Sequence, residues 1–158
     1  MEEFVKWAIR NNWQVEISSI EQEIPKEAFC RYAMLPEDYM NFLKHIITLS
    51  DETDTGWFLN VDDFKGTNLD TEWQPCSFED ISIEAADGDD ELIAEITVFW
   101  NEHIPIFFCL ANGYEYYAIR LSDGSVVNGI EPEFEETSVV SASFKDFLKK
   151  IMTNDIVF

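Results

Sequence analysis

Two histidines, His45 and His103, and three cysteines, Cys30, Cys76 and Cys109, are the residues from which a nucleophile and its base would have to be built. Each histidine falls at the end of an expected helix with no motif around it, the usual place of a packed or capping imidazole. Neither is assigned a catalytic role. The cysteines are odd in number, widely spaced and form no C-x-x-C pair, so they suggest neither a disulfide framework nor a structural zinc site and read as buried free thiols. The six glycines are scattered, and none opens a helix in a phosphate-binding pattern.

Carboxylates are what the chain has in excess, with 32 acidic against 10 basic side chains and a formal net charge of −22. Pairs such as Asp62-Asp63 or Glu135-Glu136 have the groups for acid–base work, but adjacent side chains in an extended segment point to opposite faces. The run Asp87-Gly88-Asp89-Asp90-Glu91 lacks the alternating ligands and the spaced glycine and glutamate of a calcium loop. It reads instead as a helix start whose carboxylates accept backbone N–H groups. No catalytic residue, metal or cofactor is therefore expected, and an enzyme has no positive support.

The charge does restrict the partners. A surface this acidic repels nucleic acid and anionic membranes and cannot gain from counterion release. Basic proteins are its natural partners; the alternative is acidity that serves solubility alone. From Asp51 to Glu102 there are 16 acidic residues against a single basic one, Lys65, which suggests a one-sided face. The contact candidates there are Asp62, Asp63, Asp87, Asp89, Asp90, Glu91 and Glu95. A second group, Glu131, Glu133, Glu135 and Glu136, either extends that face or lies elsewhere.

The elements that position these groups are legible in outline. At 158 residues, 46% of them hydrophobic, the chain suits one domain burying about 70% of its unfolded surface. No apolar stretch is long enough to span a membrane, and MEEFVKWAIR lacks a secretory pattern, so a cytoplasmic location is expected. Phe4, Trp7 and Ala8 predict a short helix ending near Asn11-Asn12, and an irregular helical stretch is expected between Ser18 and Arg31, interrupted by Pro25. Pro36, Glu37 and Asp38 open a helix with Tyr39, Phe42, Leu43 and Ile46 on one face. Gly56 to Val61 reads as a strand, and Asp62 to Pro75 as an exposed loop. Leu92, Ile93, Ile96, Phe99, Trp100 and His103 fit one face of a helix that Pro105 ends. Strands follow at 106–110, 114–121 and 125–130, the last two joined by Ser122-Asp123-Gly124. Ser143 caps a final helix carrying Phe144, Phe147, Leu148 and Ile151. The fold class is α+β, a small antiparallel sheet flanked by helices.

Three segments in order carry a family resemblance: Leu35-Pro36-Glu37-Asp38-Tyr39-Met40-Asn41-Phe42-Leu43, then Gly113-Tyr114-Glu115-Tyr116-Tyr117-Ala118-Ile119 with Asp123-Gly124, then Ser143-Phe144-Lys145-Asp146-Phe147-Leu148. Together they resemble the SUKH superfamily of Smi/Knr-like domains. Thr48-Leu49-Ser50-Asp51 stands where many members have a glycine-rich turn. The resemblance implies one SUKH-like domain over residues 1–158, and for a bacterial member an immunity protein that neutralises a toxin, often a nuclease or deaminase. Other members are regulatory scaffolds. The expectation is thus a bacterial toxin–antitoxin system in which the acidic surface binds a basic partner, a polymorphic toxin domain of nuclease type.

Overall fold

The computed structural model describes residues 1–32, 34–67, 76–111 and 113–158. Its frame is one sheet of seven antiparallel strands whose spatial order follows the chain: β1 (Gln14–Ile17), β2 (Ile46–Ser50), β3 (Gly56–Phe58), β4 (His103–Cys109), β5 (Glu115–Arg120), β6 (Val126–Ile130) and β7 (Ser138–Ser141). The expected antiparallel sheet flanked by helices is therefore present. It is wider than the sequence indicates, because β2 and β7 carry no clear alternation of apolar and polar residues and the alternating run of β1, Gln-Val-Glu-Ile, is only four residues long.

Side chains leave alternate faces of a strand, and each face has its own core. On β5, Tyr117 and Ile119 join Ile104 and Phe107 of β4 beneath α1 (Glu2–Arg10), α2 (Glu37–His45) and α6 (Phe144–Met152). Tyr116 and Ala118 face the other way, with Phe108 and Val127, beneath α4 (Cys76–Ala85) and α5 (Asp90–Glu102). Every residue of β4 is buried, as a central strand covered on both faces requires. Phe64, on the short helix α3 (Val61–Lys65), touches both cores.

The motif helices meet in the first core. Tyr39 and Phe42 on α2 set their rings 5.1 and 5.2 Å from Phe144 on α6, and the Lys145 N–H donates to Asp38 at 3.1 Å. Ser143 caps α6 as expected, its hydroxyl accepting from the Asp146 N–H at 3.1 Å.

Several expectations are corrected. After β1 the only helical turn before Arg31 is a 3-10 turn at Lys26–Phe29, with Pro25 before it. The chain between them hydrogen-bonds to the end of α2, through Ser18 N–H to the His45 carbonyl and Gln22 N–H to the Lys44 carbonyl, both at 2.8 Å. Ile46 begins β2 and does not extend α2, and residues 48–50, where many members have a glycine-rich turn, continue that strand. The expected strand from Gly56 stops at Phe58, and Val61, its expected end, starts a helix that runs into the expected loop as Val61–Lys65, capped by Asn60 and ended by Gly66 in a left-handed conformation; residues 68–75 lie outside the described residues. Pro105 does not end α5. It sits inside β4 at a register shift, where a missing N–H is tolerated. Only Cys109 is a buried thiol, since Cys30 and Cys76 are exposed.

Candidate protein-binding face

Both histidines are tied to helix backbone, His45 within α2 and His103, which opens β4 and does not extend α5, to the end of α5. The His45 ring donates from Nδ1 to the Asn41 carbonyl, and that of His103 to the Phe99 carbonyl, each at 2.8 Å, because a carbonyl can only accept. His103 also stacks on Phe99 with ring centroids 4.0 Å apart, and burial lowers its pKa. Among the described residues no group of three or more His, Cys, Asp or Glu side chains is arranged to hold a metal ion.

Charge separates the two helical layers. The layer of α1, α2 and α6 carries Lys6, Arg10, Lys44, Lys145, Lys149 and Lys150, and three of these lysines pair with carboxylates: Lys6 with Glu2 at 2.5 Å, Lys44 with Glu21 at 3.2 Å and Lys150 with Asp146 at 3.8 Å. The layer of α4 and α5 contains no lysine or arginine of its own, nor does the β6–β7 connection. Among the described residues one cation reaches across to it. Arg31 pairs with Glu79 at 2.7 Å and donates to Asn101 at 3.2 Å.

Most sequence-derived contact candidates belong to this acidic layer. Asp89 is the N-cap of α5, accepting from the Glu91 and Leu92 N–H groups at 3.0 and 3.2 Å, while Asp87 precedes it in a left-handed conformation. Asp90, Glu91 and Glu95 are exposed on α5. The second acidic run joins them, because the β6–β7 connection folds over α4 and α5. Phe134 places its ring 5.5 Å from Phe99, and its carbonyl accepts from the Tyr116 hydroxyl at 3.3 Å. Glu133, Glu135 and Glu136 are left exposed around it.

Three candidates do not fit that face. Asp62 lies on α3 with Lys65 beside it at 3.2 Å. Asp63 is buried, its carboxylate accepting from the Asn60 N–H at 2.8 Å as the inner half of a capping box, so its charge serves the helix. Glu131 is buried as well, accepting a hydrogen bond from the Ser82 hydroxyl. Burial, helped by the nearby Glu135 charge, raises its pKa to about 7 against the pull of the Ser82 hydrogen bond.

Glu102 is not among the sequence-derived candidates, although its spacing from Glu91 and Glu95 puts it on their side of α5. With Ala94, Val98, Phe99 and His103 these glutamates line an open groove of about 480 Å³ with a mostly apolar floor.

Fold and face together define an α+β domain built as a three-layer sandwich, with one helical layer charge-balanced and the other acidic. A family model described as SMI1 / KNR4 family (SUKH-1) matches residues 12–150, and the chain belongs to that family, which is known for immunity proteins. No curated protein and no solved structure matches the chain. Among the described residues no helix is long and apolar enough to cross a membrane.

Proposed function

We propose that this protein is a bacterial cytoplasmic immunity protein that binds a basic, nuclease-type toxin domain and neutralises it by occluding its nucleic-acid surface. The observation that carries the reading is the absence of any lysine or arginine on α4, α5 and the β6–β7 connection, while the opposite layer is supplied with them. Carboxylates of α5 and of residues 133–136 take the places of nucleic-acid phosphates against the toxin's basic groups. Long-range attraction speeds the encounter, by about 10- to 1000-fold at low salt, and fades beyond about 8 Å at physiological salt. Membership in a family known for immunity proteins supports the reading.

The test is a pull-down with the tagged protein from its native cell at low and high salt, followed by expression of each captured protein alone. A single basic, salt-sensitive partner that kills when expressed alone, and is silenced by co-expression of this chain, supports immunity. Several weak, harmless partners would instead identify a regulatory scaffold.

A further inference from the structure

The outer side of α5 has a shape that its charge does not explain. Counted by fours, Glu91, Glu95 and Phe99 form one ridge along the helix, continued by His103 at the start of β4, and Ala94, Val98 and Glu102 form a second beside it. The 480 Å³ groove is the channel between them. Rows of this spacing are the ones that helices interdigitate when they pack, and the small side chain of Ala94 leaves the channel open.

Val98 stands 55% exposed in its middle, and the stacked rings of Phe99 and His103 close one end. A single exposed valine is ordinary. Here, however, the apolar floor is rimmed by Glu91, Glu95 and Glu102, and none of these three forms an ion pair among the described residues. Every other face of α5 is used, because Ile96 and Trp100 are buried against the sheet and α4 packs alongside.

We propose that this groove receives an amphipathic helix of the basic partner, its apolar stripe lying between the two ridges and its flanking lysines or arginines meeting Glu91, Glu95 and Glu102. This rests on the partner being basic, as argued above, and adds which element of it docks. An extended strand would need unpaired backbone, which a helix surface does not offer, and a small molecule would need an enclosed cleft. The 13 residues of α5 span about 20 Å, enough for about four turns of a partner helix crossing it.

The test uses two fluorescein-labelled peptides of about 18 residues and identical Leu, Lys, Gln and Ala content, one with the leucines in a helical stripe flanked by lysine and the other scrambled. Anisotropy titrations against the intact protein at about 0.15 M salt should show the striped peptide binding at least about tenfold more tightly. The Ala94→Gln/Val98→Gln double substitution should bring the two peptides to within about twofold, with unchanged helix content and thermal midpoint because both positions are exposed. Val139→Gln, at an equally exposed valine on β7, should leave the preference intact. Equal affinity for the two peptides, or a preference that survives the double substitution, overturns the docking mode. In either case salt-sensitive binding of both peptides leaves the acidic-face reading standing, whereas no binding of either at low salt removes that reading too.

Discussion

The Ser82 hydroxyl on α4 donates to one carboxylate oxygen of Glu131, the residue that follows β6, and the other oxygen of that carboxylate is buried without a hydrogen-bond partner. This contact, across 49 positions of sequence, pins the second acidic run against the helices that carry the first. It also leaves a buried group whose charged form is disfavoured, since burial outweighs the single hydrogen bond.

Glu131 should therefore make the fold weaker as pH rises. Its folded pKa of about 7 lies above the ordinary 4.5, so between those values the native state holds a proton that the unfolded chain has released. The stabilising contribution is complete below about pH 4.5 and lost by about pH 7 to 8, a change of at most about 3 kcal/mol. His103 acts in the opposite sense: burial lowers its pKa from 6.5, so acid costs stability through that residue. Urea unfolding of the wild type and Glu131→Gln at pH 5 and pH 8 separates the two, because the His103 contribution cancels in the difference. The variant should gain on the wild type between the two pH values, and a constant gap would contradict the assignment.

Gly129 on β6 faces the Tyr116 ring so closely that an added Cβ would lie 2.5 Å from its hydroxyl oxygen and 2.6 Å from the ring carbon bearing it. Gly129→Ala should displace Tyr116, break its hydrogen bond to the Phe134 carbonyl and cost about 1–3 kcal/mol. Glutamates 133, 135 and 136 lie on the same connection, so faster amide exchange at 133–136 should accompany the lower thermal midpoint. A variant as stable as wild type would show that the ring has room to move.

Asn60 accepts from the Asp62 and Asp63 N–H groups at 2.8 and 3.1 Å, and Asp63 returns the bond. Asn60→Ala should cost about 1–2 kcal/mol, because the Asp62 and Asp63 N–H groups lose their acceptor while the backbone N–H that Asp63 accepts from is kept. Chemical denaturation measures it, and a loss below about 0.3 kcal/mol would mean that α3 does not depend on its cap.

Replacing Glu91, Glu95 and Glu102 together by Gln, or Glu133, Glu135 and Glu136 together, should slow association with the basic partner by about tenfold at low salt and flatten its salt dependence. Dissociation should change less. Glu2→Gln/Glu3→Gln on α1, in the opposite layer, is the control and should leave the rate as it is. Stopped-flow association traces at several salt concentrations read all three, and equal slowing by the control would assign the effect to net charge alone.

Helical period and caps make α2, α5 and α6 legible in the amino-acid sequence: Pro36, Asp89 and Ser143 each stand at the helix start that their chemistry predicts. β1 is hidden because it lies at the sheet edge and buries little, and β2 because its Ile46 continues the apolar face of α2 in register. The excess of carboxylates, and where they crowd, is plain from composition. Which of them turn inward is not, although the Asn60-x-x-Asp63 spacing is a capping-box signature and marks Asp63. Nothing local to Glu131 signals its burial, which arises from Ser82 on a distant helix.

Strand order identical to chain order also bears on how the molecule assembles. Each strand needs only its sequence neighbour, which lowers contact order and favours quick pairing. The widest closure is between β3 and β4, across the segment holding α3, α4 and α5, and it divides the sheet into a block of β1–β3 and a block of β4–β7. A backbone cut at Gly88, in the exposed turn between α4 and α5, would thus leave each fragment a run of consecutive strands, and two such pieces can find one another by completing a single ladder.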